Sequence, residues 1–248
     1  MSGHSHFATI KRAKEAKDAQ KGKSFSKHAR AISIAVKAGG GPDPDSNYKL
    51  RMAIEAARAD NLPKENIERA ISKASTEAAN LEESTYEGFG PYGISVIVEV
   101  ATDNRNRTAQ ELKNIFEKGG GNMGGPGSVA YNFESKGMIR VQKTADPSAQ
   151  LLDLIDVGVE DYEETDSEMI IYTPYDKTAQ IRDAIAAKNY TVTSAQAIKK
   201  AVNSVNIDDA DKAKKVFTFV ERLEEYEDVQ NVYTNMEISD EIMDKVEV

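Results

Sequence analysis

Apolar positions along this chain follow two rhythms. In the first quarter they recur every three or four residues, the period of an amphipathic helix. Ala8–Lys21 is the leanest case: Ile10 is its one apolar residue larger than alanine, and Ala13 and Ala16 continue a narrow stripe. Lys11, Lys14, Lys17 and Lys21 line another face at helical spacing. Ser24–Ala38 has a fuller face of Phe25, Ala29, Ile32 and Val36, and Gly39-Gly-Gly-Pro42 stops it. Tyr48–Ala59 turns Leu50, Ala53, Ile54 and Ala57 inward. After Pro63, a residue tolerated at a helix start, Ile67, Ala70, Ile71 and Ala74 mark a last helix. A small helical domain is therefore expected over residues 1–75.

Thr76–Ser84 is polar and reads as a linker, and beyond it the rhythm changes. Ile94–Val100 is β-branched and reads as a strand. Asn106–Lys118 is a helix with Ala109, Leu112, Ile115 and Phe116 inward; Val129–Phe133 and Met138–Val141 read as a hairpin. That order, β-α-β-β, lacks the α-β that completes a split ferredoxin-like unit. The missing pair recurs far downstream, as the helix Asp208–Tyr226 and the strand Val229–Thr234. Between them, Ala149–Val157 and Asp176–Lys188 read as helices and Val159–Glu164, Glu168–Tyr172 and Tyr190–Ala197 as strands. The expected fold is α+β: a helical domain, then a ferredoxin-like domain over 76–145 plus 207–248, with a further α/β domain inserted at 146–206. A contiguous split near residue 146 is the simpler alternative.

Charge adds what periodicity cannot. The chain has 248 residues and a net charge of −9, yet residues 1–40 hold nine Lys/Arg against two acids, +7, which leaves −16 for the rest. Lys11, Arg12, Lys14, Lys17, Lys21, Lys23, Lys27 and Arg30 are thus candidate phosphate contacts; a solvated lysine-rich helical face is the plainer reading. The absence of cysteine excludes a disulfide framework and thiolate metal sites. No apolar run approaches the ~20 residues of a membrane span, and no apolar signal core opens the chain, so a cytoplasmic setting is expected.

Among the motifs, Gly88-Phe-Gly-Pro-Tyr-Gly93 matches the dinucleotide fingerprint in letters only. A strand follows it where a helix is required, and Pro91 lacks an amide hydrogen, so a structural turn is expected. Gly119–Gly127 holds six glycines in nine residues. It reads as a flexible binding loop through Gly120, Gly121, Asn122 and Gly124, able to offer backbone amides to phosphate, or else as a plain connection. Arg105 and Arg107 sit near a helix start, where their charge opposes the dipole. Their forks suit phosphate or carboxylate; salt bridges with Glu99 or Glu111 are the alternative. Histidine occurs at His4, His6 and His28 without the spacing of a metal site, and no nucleophile, acid–base pair or kinase signature appears. No catalytic residue, cofactor, metal or small-molecule substrate is expected.

Gly3-His-Ser5, Ile10-Lys11, Lys17-Asp18, Lys21-Gly-Lys23, Asn66-Ile-Glu-Arg-Ala70, Tyr86-Glu-Gly-Phe-Gly-Pro91, Thr102-Asp-Asn-Arg-Asn-Arg-Thr108, Gly120-Gly-Asn122 and Gly127-Ser-Val129 run in the order seen in the YebC/PmpR family. The chain resembles that family from residue 3 to about 141. The resemblance implies three domains around a cleft and a cytoplasmic, non-enzymatic regulator of gene expression. Some members are described as DNA-binding transcriptional regulators. Others, including the mitochondrial translational activator of cytochrome c oxidase, act on the ribosome, where bacterial members are linked to stalling at proline runs. The family usually has Lys-Trp where this chain has His6-Phe7, and Asn where it has Thr9. DNA or ribosomal RNA is the expected partner, and docking of the acidic body on a basic protein is a third possibility. The N-terminal segment is mostly lysine, which contacts phosphate without reading bases; that composition leans towards ribosomal RNA or non-specific duplex.

Overall fold

The computed structural model describes residues 21–76, 81–159 and 161–246. The helix expected at Ala8–Lys21 lies almost wholly outside them. Three helices come first: α1 (Lys21–Ala38), α2 (Tyr48–Ala59) and α3 (Lys64–Thr76). Their shared core is the expected one. Ile32, Val36, Leu50, Ile54, Ala57, Ile67, Ala70 and Ala74 are buried, with Phe25, Ala29, Ala53 and Ile71 packed against them. Asn47 caps α2 by accepting from the Leu50 amide at 3.0 Å, and donates to the Ala35 and Gly41 carbonyls. A side chain at Gly39 would occupy the space of the Asn47 amide, so this glycine makes room for the cap.

The chain continues through β1 (Glu82–Phe89), β2 (Ser95–Thr102), α4 (Arg105–Lys118), β3 (Asn122–Met123), β4 (Phe133–Gln142), α5 (Pro147–Asp156), β5 (Asp161–Glu164), β6 (Glu168–Pro174), α6 (Thr178–Ala187), β7 (Val192–Ala201), β8 (Val205–Ile207), α7 (Ala210–Glu225), β9 (Val229–Thr234), β10 (Met236–Ile238) and α8 (Asp240–Val246). It divides into two compact units, residues 1–133 with 201–248, and residues 134–200.

In the first unit the sheet order is β3-β1-β2-β9. Strand β9 pairs antiparallel with β2, Val98 opposite Val232, so the downstream α-β does complete this sheet. Val96, Val98 and Val100 share a core with Leu112 and Phe116 of α4 and Val216, Phe219, Val220 and Leu223 of α7. The Phe116 and Phe219 rings meet edge to face, centroids 5.2 Å apart. Ile97 on the opposite face of β2 is also buried, which explains the unbroken apolar run of that strand.

Two expectations are corrected. Strand β1 occupies part of the supposed linker and the glycine stretch after it. Strand β4 is one continuous element, not half of a hairpin, and it pairs with β6 from Lys136–Pro174 to Gln142–Glu168. It therefore belongs to the second unit, whose order β5-β6-β4-β7 is the ferredoxin-like arrangement of a β-α-β-β-α-β chain. The inserted segment starts and ends some residues earlier than 146–206. Pairing decides this: seven register partners hold β4 in the second sheet.

Candidate functional site

Of the basic candidates, Lys11, Arg12, Lys14 and Lys17 lie outside the described residues. Lys21 and Lys23 belong to the first turn of α1, and Lys27 is half-buried one turn on. Arg30 follows, and the structure puts it to a different use. Its guanidinium donates to the Ala101 carbonyl at 3.0 Å, to Asp228 at 2.5 Å and to Glu227 at 2.7 Å. Arg30 is thus committed to its own protein and ties the helical segment to the sheet.

Asp228, immediately before β9, gathers the surrounding polar groups. Its side chain is 3% exposed. Besides Arg30 it accepts from Thr108 Oγ1 at 2.6 Å, Thr102 Oγ1 at 3.2 Å, Tyr226 Oη at 3.2 Å and Arg107 at 3.3 Å. Burial by itself pushes this carboxyl up; hydrogen bonds from Thr108, Arg30 and Arg107, with the Arg30 charge, outweigh it and hold the group below the usual carboxylate range. Thr102 also accepts from the Asn104 amide, and Asn104 caps α4 by accepting from the Arg107 amide at 3.1 Å. The run Thr102–Thr108 is therefore a strand end, a cap and an arginine folded around one carboxylate.

The two arginines of that run part ways. Arg107 pairs with Asp103 at 2.7 Å as well as with Asp228, and the Asp103 bond leads the causes that raise its pKa. Arg105 is 62% exposed, bonding Ser84 at 2.8 Å with Glu82 at 3.4 Å. Neither Glu99 nor Glu111 is their partner, and Glu99 accepts instead from Asn231 and Tyr233. Of these two, Arg105 keeps the more open guanidinium, 62% exposed against 50% for Arg107.

At the far end of α4, about 20 Å away for 14 residues, the glycine-rich loop is built into the fold. Gly120 and Gly127 have φ of 81° and 84°, which glycine adopts freely. A side chain at Gly121 would collide with the Phe89 carbonyl. Asn122 pairs with Phe89 in β3, and the Gly124 amide donates to the Glu87 carbonyl. The Glu87 carboxylate accepts from the amides of Gly127, Val129 and Ala130 at 2.8, 2.9 and 2.8 Å. Burial raises the Glu87 carboxyl, but these three bonds bring it below its ordinary value. The amides of Gly120, Gly121 and Gly124 donate to the backbone carbonyls of Glu117, Phe116 and Glu87, and those of Gly127, Val129 and Ala130 to this carboxylate. These bonds engage the loop's amides within the fold, and the glycines permit close packing on β1. Gly88 and Phe89 end β1, and the turn expected over Gly88–Gly93 is confined to Gly90–Gly93, with Gly90 against Phe219 and Ile94.

Glu87, Thr102 and Thr108 lie in motifs quoted above without a role of their own, and Asp228 lies in none of them. Among the described residues no cluster of His, Asp and Glu could hold a metal ion. His28 instead meets Asp60 at 2.6 Å. No described helix is long and apolar enough to cross a membrane.

A helical segment latched to a sheet, followed by an inserted ferredoxin-like unit, defines a three-part α+β protein with a basic leading end. Residues 5–77 match the TACO1/YebC protein N-terminal domain, and residues 81–236 match the TACO1/YebC second and third domain. The chain belongs to this family. A protein of Dictyoglomus turgidum is 45% identical over 98% of each chain; one of Brachyspira hyodysenteriae is 43% identical over 99% of this chain and all of its own. Both are named probable transcriptional regulatory protein. A crystal structure of a conserved hypothetical protein of Aquifex aeolicus superposes with a TM-score of 0.83 at 42% identity, covering 91% of this chain and 94% of that one.

Proposed function

We propose that this chain is a cytoplasmic, non-enzymatic regulator of gene expression that binds nucleic acid through its N-terminal segment. The observation that carries the reading is the charge division, +7 in residues 1–40 against −16 in the remainder. Lys11, Arg12, Lys14, Lys17, Lys21, Lys23 and Lys27 would neutralise phosphates, while the acidic body turns away from them. Arg30 leaves this set, because Asp228 and Glu227 already hold it. Arg105 stays in it as an exposed fork. The names of the relatives point to transcription, for which DNA would be the partner. The preponderance of lysine favours a second reading, ribosomal RNA, since these side chains hold a backbone without reading base edges.

Sedimenting a lysate through sucrose with and without nuclease, beside recovery on promoter fragments, separates the two readings. Nuclease-sensitive co-migration with ribosomes supports RNA, and retention on promoter fragments supports DNA. Free sedimentation in every condition, with no retention, refutes nucleic-acid binding.

A further inference from the structure

The helical segment and the sheet have separate cores. Ile32, Leu50, Ile67 and their neighbours form one buried cluster, Val96, Leu112, Phe219 and theirs another, and no residue belongs to both. Arg30 bridges the two bodies through charge. The Asp228 and Glu227 carboxylates and the Ala101 carbonyl all accept from its one guanidinium.

This joint can open without stranding a buried charge. Asp228 would keep Thr102, Thr108, Tyr226 and Arg107, all of which belong to the sheet and its helices. Glu227 is 70% exposed and would return to water. Each core keeps its own residues, so the helical segment can leave as a folded body. Arg30 also has another use. It stands on α1, the helix that holds Lys21, Lys23 and Lys27, and its planar fork suits a phosphate as well as a carboxylate. The two uses exclude each other. While Arg30 is docked, a phosphate approaching it meets the exposed Glu227 with like charge.

We propose that this joint is an autoinhibitory latch: a nucleic-acid backbone takes Arg30 from Glu227 and Asp228, and the helical segment swings away from the end of the sheet. The latch rests on the nucleic-acid reading above. It adds a closed state in which one phosphate contact is withheld.

The chain has no cysteine, so Ala56→Cys on α2 and Thr218→Cys on α7, both exposed, carry a nitroxide pair whose separation is read by electron paramagnetic resonance. The probe is a twenty-base-pair DNA duplex at saturation. The duplex is expected to lengthen and broaden the distance distribution, and Arg30→Gln to do so without it. In titrations of the unlabelled chain, Arg30→Gln should lower the log–log salt slope on the duplex by about one, for the contact it no longer makes. Glu227→Gln should bind about two- to fivefold more tightly, since an exposed partner of the closed state is lost. Glu111→Gln, the same change of charge on α4, should bind as the parent does. A parent that binds no duplex refutes the nucleic-acid reading and the latch with it. A parent that binds while the labels keep their distance overturns the latch alone. So does a salt slope unmoved by Arg30→Gln, or an equal gain from Glu227→Gln and Glu111→Gln.

Discussion

Replacing Asp228 by Asn tests the network that joins the helical segment to the sheet. The substitution keeps shape but removes the charge facing Arg30 and Arg107, and turns an N–H towards donors. Thr102, Thr108 and Tyr226 also donate to this side chain. Breaking a buried ion pair from one side costs about 3–5 kcal/mol. Arg107 is 50% exposed and Arg30 20%, so water recovers part of that and the expected loss is about 2–4 kcal/mol. At roughly 2–4 °C per kcal/mol for a chain of this size, the melting temperature falls by roughly 4–16 °C. The pH dependence has a definite sign. A carboxyl held below its unfolded value, about 3.9, contributes fully above that pH and loses its contribution as pH falls through the folded value. Urea unfolding from pH 7 down to pH 3 should therefore show a shallower acid decline in Asp228→Asn than in the parent. A cycle with Arg30→Met adds the coupling, expected at about 1–3 kcal/mol. Stability within 0.5 kcal/mol of the parent, or a coupling near zero, would refute the claim that this carboxylate latches α1 to the sheet.

Three further outcomes are expected. Glu87→Gln removes the charge that anchors three amides, so hydrogen exchange at Gly127, Val129 and Ala130 should rise by about tenfold or more; unchanged protection would mean the loop is held otherwise. Deleting residues 208–248 removes α7 and β9, and protection at Val96–Val100 should collapse; persistence would show that β2 is held without β9. Arg105→Gln should change stability by less than about 1 kcal/mol, its partners being surface groups, while nucleic-acid affinity falls; a large stability loss with unchanged affinity would make Arg105 structural.

The elements most legible in the sequence are those whose burial is periodic. Ile32, Val36, Leu50 and Ile54 at helical spacing, and Val96, Val98 and Val100 in a β-branched run, announce their own partners. Strand β1 was invisible because Glu82, Glu83, Ser84 and Thr85 carry no apolar alternation, and pairing to β2 is what makes them a strand. The sequence pattern of β4 reads as part of the first sheet because local pattern shows a strand but not its neighbour. At the site, the Thr102–Thr108 run stood out as a motif and its centre did not. Asp228 lies 120 residues from Thr108 and 198 from Arg30, so nothing in its own neighbourhood marks it. For the same reason Arg30 looked like one more phosphate contact in a basic run. The glycine-rich loop was conspicuous in composition, but Glu87, the residue that fills it, sits 40 positions before Gly127.

The central claim is that the basic leading segment binds nucleic acid through phosphates. Titrating labelled duplex DNA and a ribosomal RNA fragment with the full chain, at several salt concentrations, measures it most directly. About five phosphate contacts predict a log–log slope of roughly −4 to −5 on duplex DNA. Replacing Lys11, Lys14 and Lys17 by Gln should reduce that slope by roughly 2–3. An affinity that does not change with salt, or a slope untouched by the three substitutions, contradicts the account.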